Sequence, residues 1–522
     1  MDCETLIVGS GFGGAVCACR LAEGNQRVVV LERGRRWSPE EYPRRVGDAW
    51  FYDPDEPERQ NGWIDLRFFS DMVVAQGAGV GGGSLIYANV SVVPPPETFE
   101  LGWPPEITYR ELEPHFEEVG RMLGVQTLPD GQLTERFRLM REGAEALGYG
   151  DRFRKLPLAV SFDPDWSYDL PDPHDERHSK PFVNLHGVEQ GTCVHLGYCD
   201  IGCPVKARNT LDLNYLAVAE RRGAEIRPLH VVSHLAPEGS GYRVFFRRIA
   251  GGRLEPMASL SAERVILAAG SLGSTEILLR SRDEFRTLPK LSPFLGEGWS
   301  ANGDFLTPAF YQQREIYPWK GPTITSAIDF LDGSVGDRRY FIEDGGFPDL
   351  AGDVLRRVRR GLGKRDIFAR ALRQVLRNAA PLSNVMPWFS QGVDAADGRL
   401  YLGRRWFAPW KRKVKLDWEV LKSRQLTERI IAMHKRLATA TGGEPRVPPT
   451  WRLLLDLITP HPLGGCNMGV SPERGVVDHR GQVFGYPRLY VADGAVVPEA
   501  LGLNPSRTIA ALAERTAKLL EA

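Results

Sequence analysis

No stretch of this chain approaches about 18 consecutive apolar residues, so nothing in it reads as a membrane span. Charge of one sign is not in excess either: 66 Lys and Arg balance 66 Asp and Glu over 522 residues. That balance removes the basic surface a nucleic-acid partner requires, and no such partner is expected. Cysteine is scarce and odd in number, seven in all, which favours a reducing compartment over a disulfide scaffold. No basic n-region precedes the first apolar run, because Met1-Asp2-Cys3-Glu4 leads straight into it; the expectation is a cytoplasmic protein without a signal peptide. Internal repeats and low-complexity tracts are missing as well, which excludes solenoids and arrays. A chain of this length exceeds what one core usually serves, so two domains or lobes are expected.

What the chain does have begins at residue 5. Thr5-Leu6-Ile7-Val8 is an apolar run, Gly9-Ser10-Gly11-Phe12-Gly13-Gly14 follows it, small residues continue to Leu21, and Arg27-Val28-Val29-Val30-Leu31 ends on Glu32. Strand, G-x-G-x-x-G, helix, strand and acid in that order predict a dinucleotide site. Gly9 makes the tight turn, Gly11 lets backbone approach a pyrophosphate at the helix N-terminus, and Gly14 lets helix and sheet pack closely. Glu32 is spaced to accept a ribose hydroxyl, which does not separate FAD from NAD. A second glycine-rich segment, Gly77-Ala78-Gly79-Val80-Gly81-Gly82-Gly83-Ser84-Leu85-Ile86-Tyr87-Ala88-Asn89, offers bare backbone to another part of a long cofactor. A flavin with its ribityl chain requires that.

The last sixty residues carry the chemistry. They hold His461-Pro462-Leu463-Gly464-Gly465-Cys466, then Asp493-Gly494 after the apolar Leu489-Tyr490-Val491-Ala492, then Asn504-Pro505-Ser506 at the start of a helical pattern. Oxidising an alcohol at a flavin needs a base for the hydroxyl proton, the N5 atom as hydride acceptor, and something to steady the charge that develops around N1 and C2=O. His461 titrates near neutral pH among glycines that let a ligand approach, so it fits the base or the orienting partner of the alcohol. Asn504 has a carboxamide free to cap the helix and hold the substrate oxygen or the flavin edge. Pro505 suits a first helical turn, whose free N–H groups favour an anion.

Taken in this order, the N-terminal fingerprint, the Gly79 to Ser84 loop, the His461 motif and the Asn504 helix resemble the glucose-methanol-choline (GMC) oxidoreductases, and most of all their cholesterol-oxidase-like branch. The resemblance covers roughly the FAD-binding half of the chain. It implies an α/β fold: a Rossmann-like FAD-binding domain built from discontinuous segments, 1–301 and 452–522, and an α+β substrate-binding domain over 302–451. It implies non-covalent FAD, held by Gly9, Gly11, Phe12, Gly13, Gly14 and Glu32, by Gly79, Gly81, Gly82, Gly83, Ser84 and Asn89, and by Asp493, Gly494, Asn504, Pro505 and Ser506, with the strand near Val232 touching the adenine end. Tyr340-Phe341-Ile342-Glu343-Asp344-Gly345-Gly346-Phe347-Pro348 is similar to the stretch that bears an active-site glutamate, which makes Glu343 an acid/base partner of His461; a solvated turn glutamate is the other reading.

Two features are left open. Cys193, Cys199 and Cys203 read C-x5-C-x3-C-P, a ferredoxin pattern with Leu196 in place of the second cysteine. Such thiols serve as ligands of a 3Fe-4S cluster, as reduced packing thiols, or as a disulfide or other metal site; no metal is assigned. Residues 354–377 and Arg404 to Lys413 are basic runs, the second interleaved with Trp406, Phe407 and Trp410. These suit peripheral docking on an anionic membrane surface, an electron-accepting or subunit contact, or a plain solvated face. The expected activity is oxidation of a bulky apolar alcohol, sterol-like, long-chain or terpenoid, to its carbonyl, with oxygen accepting the electrons and leaving as hydrogen peroxide. The alternatives are a flavin and iron–sulfur alcohol or sugar dehydrogenase serving an external acceptor, and a non-catalytic flavin-containing binding or electron-transfer protein.

Overall fold

The structure, a computed structural model, describes residues 1–45, 47–349, 381–405, 408–448, 451 and 457–521. Five strands form its parallel core, in the order Glu225–Arg227, Val28–Leu31, Cys3–Val8, Ala258–Leu267 and Leu489–Val491. The segments at their centre, Leu6-Ile7-Val8, Val28–Leu31, Val265-Ile266-Leu267 and Leu489–Val491, are apolar and buried because both faces of the sheet are covered there. Cys3–Val8 and Val28–Leu31 lie in register as Thr5↔Val28 through Val8↔Leu31, so Gly9 and Glu32 emerge side by side at the same edge. Gly270 and Asp493 follow the other two strands out at that edge, which therefore collects four turns from remote parts of the chain. Ligands of open α/β sheets bind outside such carboxyl ends. The strands Gly241–Ala250 and His230–Glu238 extend the sheet antiparallel beyond Ala258–Leu267.

The helix Phe12–Glu23 lies on this sheet with a face of Gly13, Gly14, Ala15, Ala18 and Ala22, and the helix Ser506–Glu521 packs against it. Small residues set how close these elements come. A Cβ on Gly13 would stand 1.6 Å from the carbonyl oxygen of Ala492, and one on Gly14 2.0 Å from that of Gly9.

A second sheet of six strands is antiparallel, in the order Glu444–Pro445, Phe305–Phe310, Val385–Gly392, Tyr340–Asp344, Ser326–Phe330 and Phe153–Lys155. The helix Arg424–Ala440 packs against it, burying Leu426, Ile430, Met433 and Leu437. Its edge strand Phe153–Lys155 comes from the N-terminal part of the chain, so that part is shared between the two sheets. The fold is thus α/β, a Rossmann-like domain of discontinuous segments with an α+β companion.

The stretch before Pro95 contains the hairpin Ile64–Phe68 and Met72–Gly77, onto which Leu457–Thr459 adds in parallel. The segment from Leu211 is α-helical only over Tyr215–Arg221, behind a 3-10 turn at Leu211–Leu213, because the Asn214 side chain accepts from Tyr215 N–H and starts the helix there. The basic run at 354–377 lies outside the described residues, as do Trp406 and Phe407 of the second run. Among the described residues no helix is long and apolar enough to cross a membrane.

Backbone contact at Gly13 leaves its neighbour nowhere to move. Gly13→Ala should destabilise the protein by roughly 3 kcal/mol or more, the upper end of overpacking effects, read as a lowered urea midpoint at unchanged slope.

Candidate active site

The four turns at the sheet edge open into one cleft of about 780 Å³, within the range of small-molecule sites. At one end lie Glu32, His230, Val232, Arg247 and Met257. Glu32 is buried and already accepts from Ser10 N–H at 3.0 Å, Ser10 Oγ at 2.7 Å and Gly34 N–H at 3.0 Å. These bonds fix its carboxylate beside the first glycine turn, with lone pairs left for a further donor. In the middle, the Gly9-to-Gly13 turn faces Gly82 and Gly83. A Cβ on Gly11 would stand clear, 3.8 Å from Gly82 Cα and 3.9 Å from Gly83 N. Gly11 thus borders open space, whereas Gly9, Gly13 and Gly14 are pressed against backbone. The helix that begins there has no acidic residue in its first turn and no side-chain cap on Gly11, so its N–H groups and positive end are free for an anion. Bare backbone, an uncapped helix N-terminus and a fixed carboxylate fit the pyrophosphate and ribose of FAD.

Of the expected cofactor residues, Gly9, Gly11, Phe12, Gly13, Glu32, Gly82, Gly83, Val232, Asp493, Gly494, Asn504, Pro505 and Ser506 line the cleft. Gly14, Gly79, Gly81, Ser84 and Asn89 stand behind it. Gly81 N–H donates to Ser10 Oγ at 3.1 Å, and Ser84 Oγ donates to Gly81 O at 2.8 Å while accepting from Leu211 N–H at 3.1 Å. These bonds bind the second glycine loop to the first. Asn89 is fully buried in the left-handed region, φ 64°, and neither polar atom of its carboxamide has a partner among the described residues. Asp493 accepts from Gly270 N–H at 2.8 Å and Ser274 Oγ at 2.5 Å through Oδ2, and from Ala495 N–H at 2.8 Å through Oδ1. It joins two strand-to-helix turns, and burial raises its pKa to about 6.

His461 lines the other end. Its turn is pinned by Gly464 N–H to Gly494 O at 2.9 Å and by a pair of 3.0 Å backbone bonds between Leu463 and Ser300. Its Nδ1 lies 2.9 and 3.1 Å from the two oxygens of Asp304, a fully buried carboxylate. Burial opposes the imidazolium, yet Asp304 outweighs it, and the His461 pKa rises above the usual 6.5. Asn504 lies beside it, buried, with Oδ1 unpartnered among the described residues. Asn504 is not the helix cap expected from the sequence: the helix starts at Ser506, and Pro505 O accepts the first helical bond, from Ile509 N–H at 3.0 Å. The asparagine side chain is freed by that one-residue offset.

Glu343 is not a solvated turn residue. It sits in the strand Tyr340–Asp344, fully buried, opposite Phe389 and Ala327. Gln391 Nε2 donates to its Oε2 at 2.8 Å, while Oε1 has no partner among the described residues. Burial pushes its pKa up to about 7, against the pull of Gln391, His461 and Asn504. Strand alternation turns Asp344 to the opposite face, where Thr325 N–H and Ser326 N–H donate to Oδ1 at 2.7 Å each and the buried Arg136 lies alongside. Asp344 is therefore structural.

Cys193, Cys199 and Cys203 do not form a metal site: among the described residues no three His, Cys, Asp or Glu group closely enough to hold an ion. All seven cysteines are unpaired. His195 N–H donates to the Cys193 sulfur and Ala207 N–H to that of Cys203, at 3.4 Å each, and burial pushes the Cys199 thiol up to about 11. What the segment contributes to the cleft is Asp200, beside Thr323. Sequence reading missed Asp304, Thr459, Gln391 and Asp394. Asp304, Gln391 and Asp394 lie far along the chain from His461 and Asn504 and carry no motif, and Thr459 sits two residues before His461 without one; the one available signal is an acid set between small residues and an apolar strand, as in Ser300-Ala301-Asn302-Gly303-Asp304-Phe305.

Comparison with known proteins agrees with this geometry. Residues 396–513 match a family model described as GMC oxidoreductase, and residues 7–51 one described as an NAD(P)-binding Rossmann-like domain. Over its full length the chain is 31% identical to a cholesterol oxidase of Acinetobacter baumannii, covering 95% of that protein. The chain belongs to the GMC oxidoreductase family. A cholesterol oxidase of Mycobacterium tuberculosis (strain CDC 1551 / Oshkosh) is 32% identical over 99% of this chain and 91% of its own, which places the chain in the cholesterol-oxidase-like branch. A long-chain-alcohol oxidase of Arabidopsis thaliana is 22% identical over 97% of this chain and 66% of its own. In fold the chain matches pyridoxine 4-oxidase from Mesorbium loti, with a TM-score of 0.64, 17% identity and 99% of each chain covered. As a GMC oxidoreductase it is an FAD-dependent enzyme acting on CH–OH donors.

Two outcomes follow. Gly11→Ala should purify folded, because its Cβ would stand at ordinary contact distance, 3.8 Å from Gly82 Cα and 3.9 Å from Gly83 N, but with much reduced FAD content by absorbance, because that Cβ intrudes where backbone must approach the pyrophosphate. Glu343 holds its proton to about pH 7 when folded but only to the ordinary carboxylate range when unfolded, so its contribution to stability is lost as pH rises from about 4 to 7. Glu343→Gln should therefore gain stability relative to the parent chain over that interval, in urea titrations at pH 5 and pH 8.

Proposed function

We propose that this chain oxidises the hydroxyl of a bulky apolar alcohol, sterol-like or long-chain, to the carbonyl, with oxygen accepting the electrons and leaving as hydrogen peroxide. The observation that carries the reading is the convergence of His461, Asn504 and Glu343: His461 and Asn504 line the FAD cleft, Asn504 Oδ1 and Glu343 Oε1 have no partner among the described residues, and Glu343 feels both His461 and Asn504 while burial raises its pKa to about 7. Buried polar groups without partners are costly unless a ligand completes them. When bound, FAD supplies the two-electron acceptor for the carbinol C–H.

The residues divide the remaining work. His461, held through Nδ1, turns its other ring nitrogen to the cleft and takes the hydroxyl proton or orients it. Asn504 offers an unpaired carboxamide oxygen to the substrate hydroxyl, and the first free N–H groups of the helix behind it favour negative charge at that spot. Glu343, poised near pH 7, is the acid/base partner that exchanges a proton with this pair. Leu306, Ile324, Phe389 and Ile509 share the lining with His461 and Asn504, an apolar wall that excludes water and suits an apolar body. The names of the relatives, cholesterol oxidase and long-chain-alcohol oxidase, point to the same class of substrate.

Anaerobic mixing of the FAD-loaded protein with sterols and with long-chain primary alcohols tests the reading: flavin absorbance should bleach with at least one of them, and air should then yield one peroxide per alcohol consumed. No bleaching with either class would sink it. His461→Ala and Asn504→Ala should keep their FAD yet slow flavin reduction by on the order of 100-fold, the scale of general-base and oxyanion contributions. Near-parental rates in both would remove them from the chemistry.

A further inference from the structure

The carboxylate behind His461 belongs to no motif in the chain, and its geometry is more specific than an ion pair needs. Both Asp304 oxygens lie within 3.1 Å of Nδ1. One of them also accepts from Thr459 Oγ1 at 2.6 Å, and that hydroxyl accepts from the His461 backbone N–H at 2.9 Å. Ring, backbone and carboxylate therefore close a small circuit: the amide donates to the hydroxyl, the hydroxyl has two acceptors for its one proton, the carboxylate at 2.6 Å and Ala301 O at 2.9 Å, and Nδ1–H donates to the carboxylate. An imidazole so held has one tautomer when neutral, with its proton on Nδ1, and Nε2 is the only ring nitrogen left for the cleft.

We propose that Asp304 is the positioning residue of this enzyme, fixing both the tautomer and the charge of His461 so that a lone pair on Nε2, or a proton it holds, is presented to the carbinol. Two charged groups act on the imidazole, Asp304 from the loop before the strand Phe305–Phe310 and Glu343 from the strand Tyr340–Asp344; Phe389, the other ring packed near it, is neutral. Asp304 is the nearer by direct hydrogen bond and acts on the ring more strongly than Glu343; burial raises the Asp304 carboxyl too, against the pull of His461 and Thr459. The part that concerns the reaction rests on the function proposed above; the part that concerns the imidazole does not.

The experiment is a nitrogen-15 NMR titration of the FAD-loaded protein, with the His461 signal identified by its loss in His461→Gln. In the parent chain the neutral ring should show the Nδ1–H tautomer; the Nε2–H tautomer would overturn the proposal without recourse to any variant. In Asp304→Asn the carboxamide oxygen still accepts from Nδ1–H while the charge is gone, so the His461 titration should move to lower pH at unchanged FAD content. An unmoved titration would overturn it as well. In flavin-reduction kinetics, whichever pH limb belongs to His461 should move to lower pH with it, since a lost charge weakens the imidazolium whether the ring serves as base or as donor. A limb that stays while the NMR titration moves would refute a role in the reaction. Asp304→Ala, which frees the ring, should lower kcat by on the order of 100-fold with a smaller change in KM. If no alcohol reduces the flavin even in the parent chain, the proposed reaction fails, and the tautomer and titration still decide Asp304.

Discussion

Asp394 is a carboxylate in the protein interior, and the hydrogen bonds it must accept there shape the end of the cleft that holds His461 and Asn504. Ser300 Oγ donates to it at 2.7 Å, Ala301 N–H at 2.9 Å and Ala396 N–H at 3.0 Å. A buried acid with fewer donors would be costly, so the loop from Ser300 to Gly303 has little freedom to take another path. Two consequences are built on that path. Asn302, in the left-handed region at φ 55°, donates to Leu503 O at 2.8 Å and accepts from Leu501 and Gly502 N–H at 3.0 and 2.9 Å, which sets the approach of the chain to Asn504. Asp304, two residues on, reaches His461. One loop thus fixes the spacing between the imidazole and the carboxamide although they are carried by different segments.

The cofactor end obeys a different constraint, close approach of backbone. Gly13 lies against Ala492 O and Gly9 against Ala268 O, so the turns of three strands touch without side chains between them. Gly11, Gly82 and Gly83 line the cleft with bare backbone, and a Cβ on Gly82 would stand 2.5 Å from Gly11 Cα. Asp493 then locks the third and fourth turns together. Rigidity there and hydrogen-bonded precision at His461 are joined through Gly464, whose N–H meets Gly494 O at 2.9 Å, so a displacement of the phosphate turns is transmitted to the catalytic turn over a short path.

Legibility in the sequence followed locality. The dinucleotide turn could be read because strand, glycines, helix and acid lie within about thirty residues and each has a fixed physical task. His461 and Asn504 were readable as chemistry-bearing residues in unusual settings, though the helix start was misplaced by one position: a proline at the cap and one in the first turn look alike in sequence. Glu343 was half legible, since a short match cannot distinguish a buried strand from a turn until Phe389 and Ala327 are known to flank it. Asp304, Asp394 and Gln391 were not legible at all, because their partners lie from 48 to 157 positions away. The cysteine spacing left its alternatives open for a related reason: a ligand set is defined by where sulfur atoms point, and here two of the three sulfurs accept from nearby amides.

The wall that would hold the body of a substrate shows why specificity is the least legible property. Phe389 stands near His461 on the strand Val385–Gly392, Gly345 packs against the Phe389 Cβ position, Gly346 against Thr323 O, and Thr323 against Asp200. Four segments thus contribute one residue or two each, and a change in any one alters the volume offered to the alcohol. The two glycines matter most to that volume, since a Cβ on either would meet backbone at 2.6 or 2.7 Å and the wall would have to move outward. Asp200, whose pKa burial raises to about 6 against the pull of Arg208, Thr323 and Arg136, adds a carboxyl to that wall.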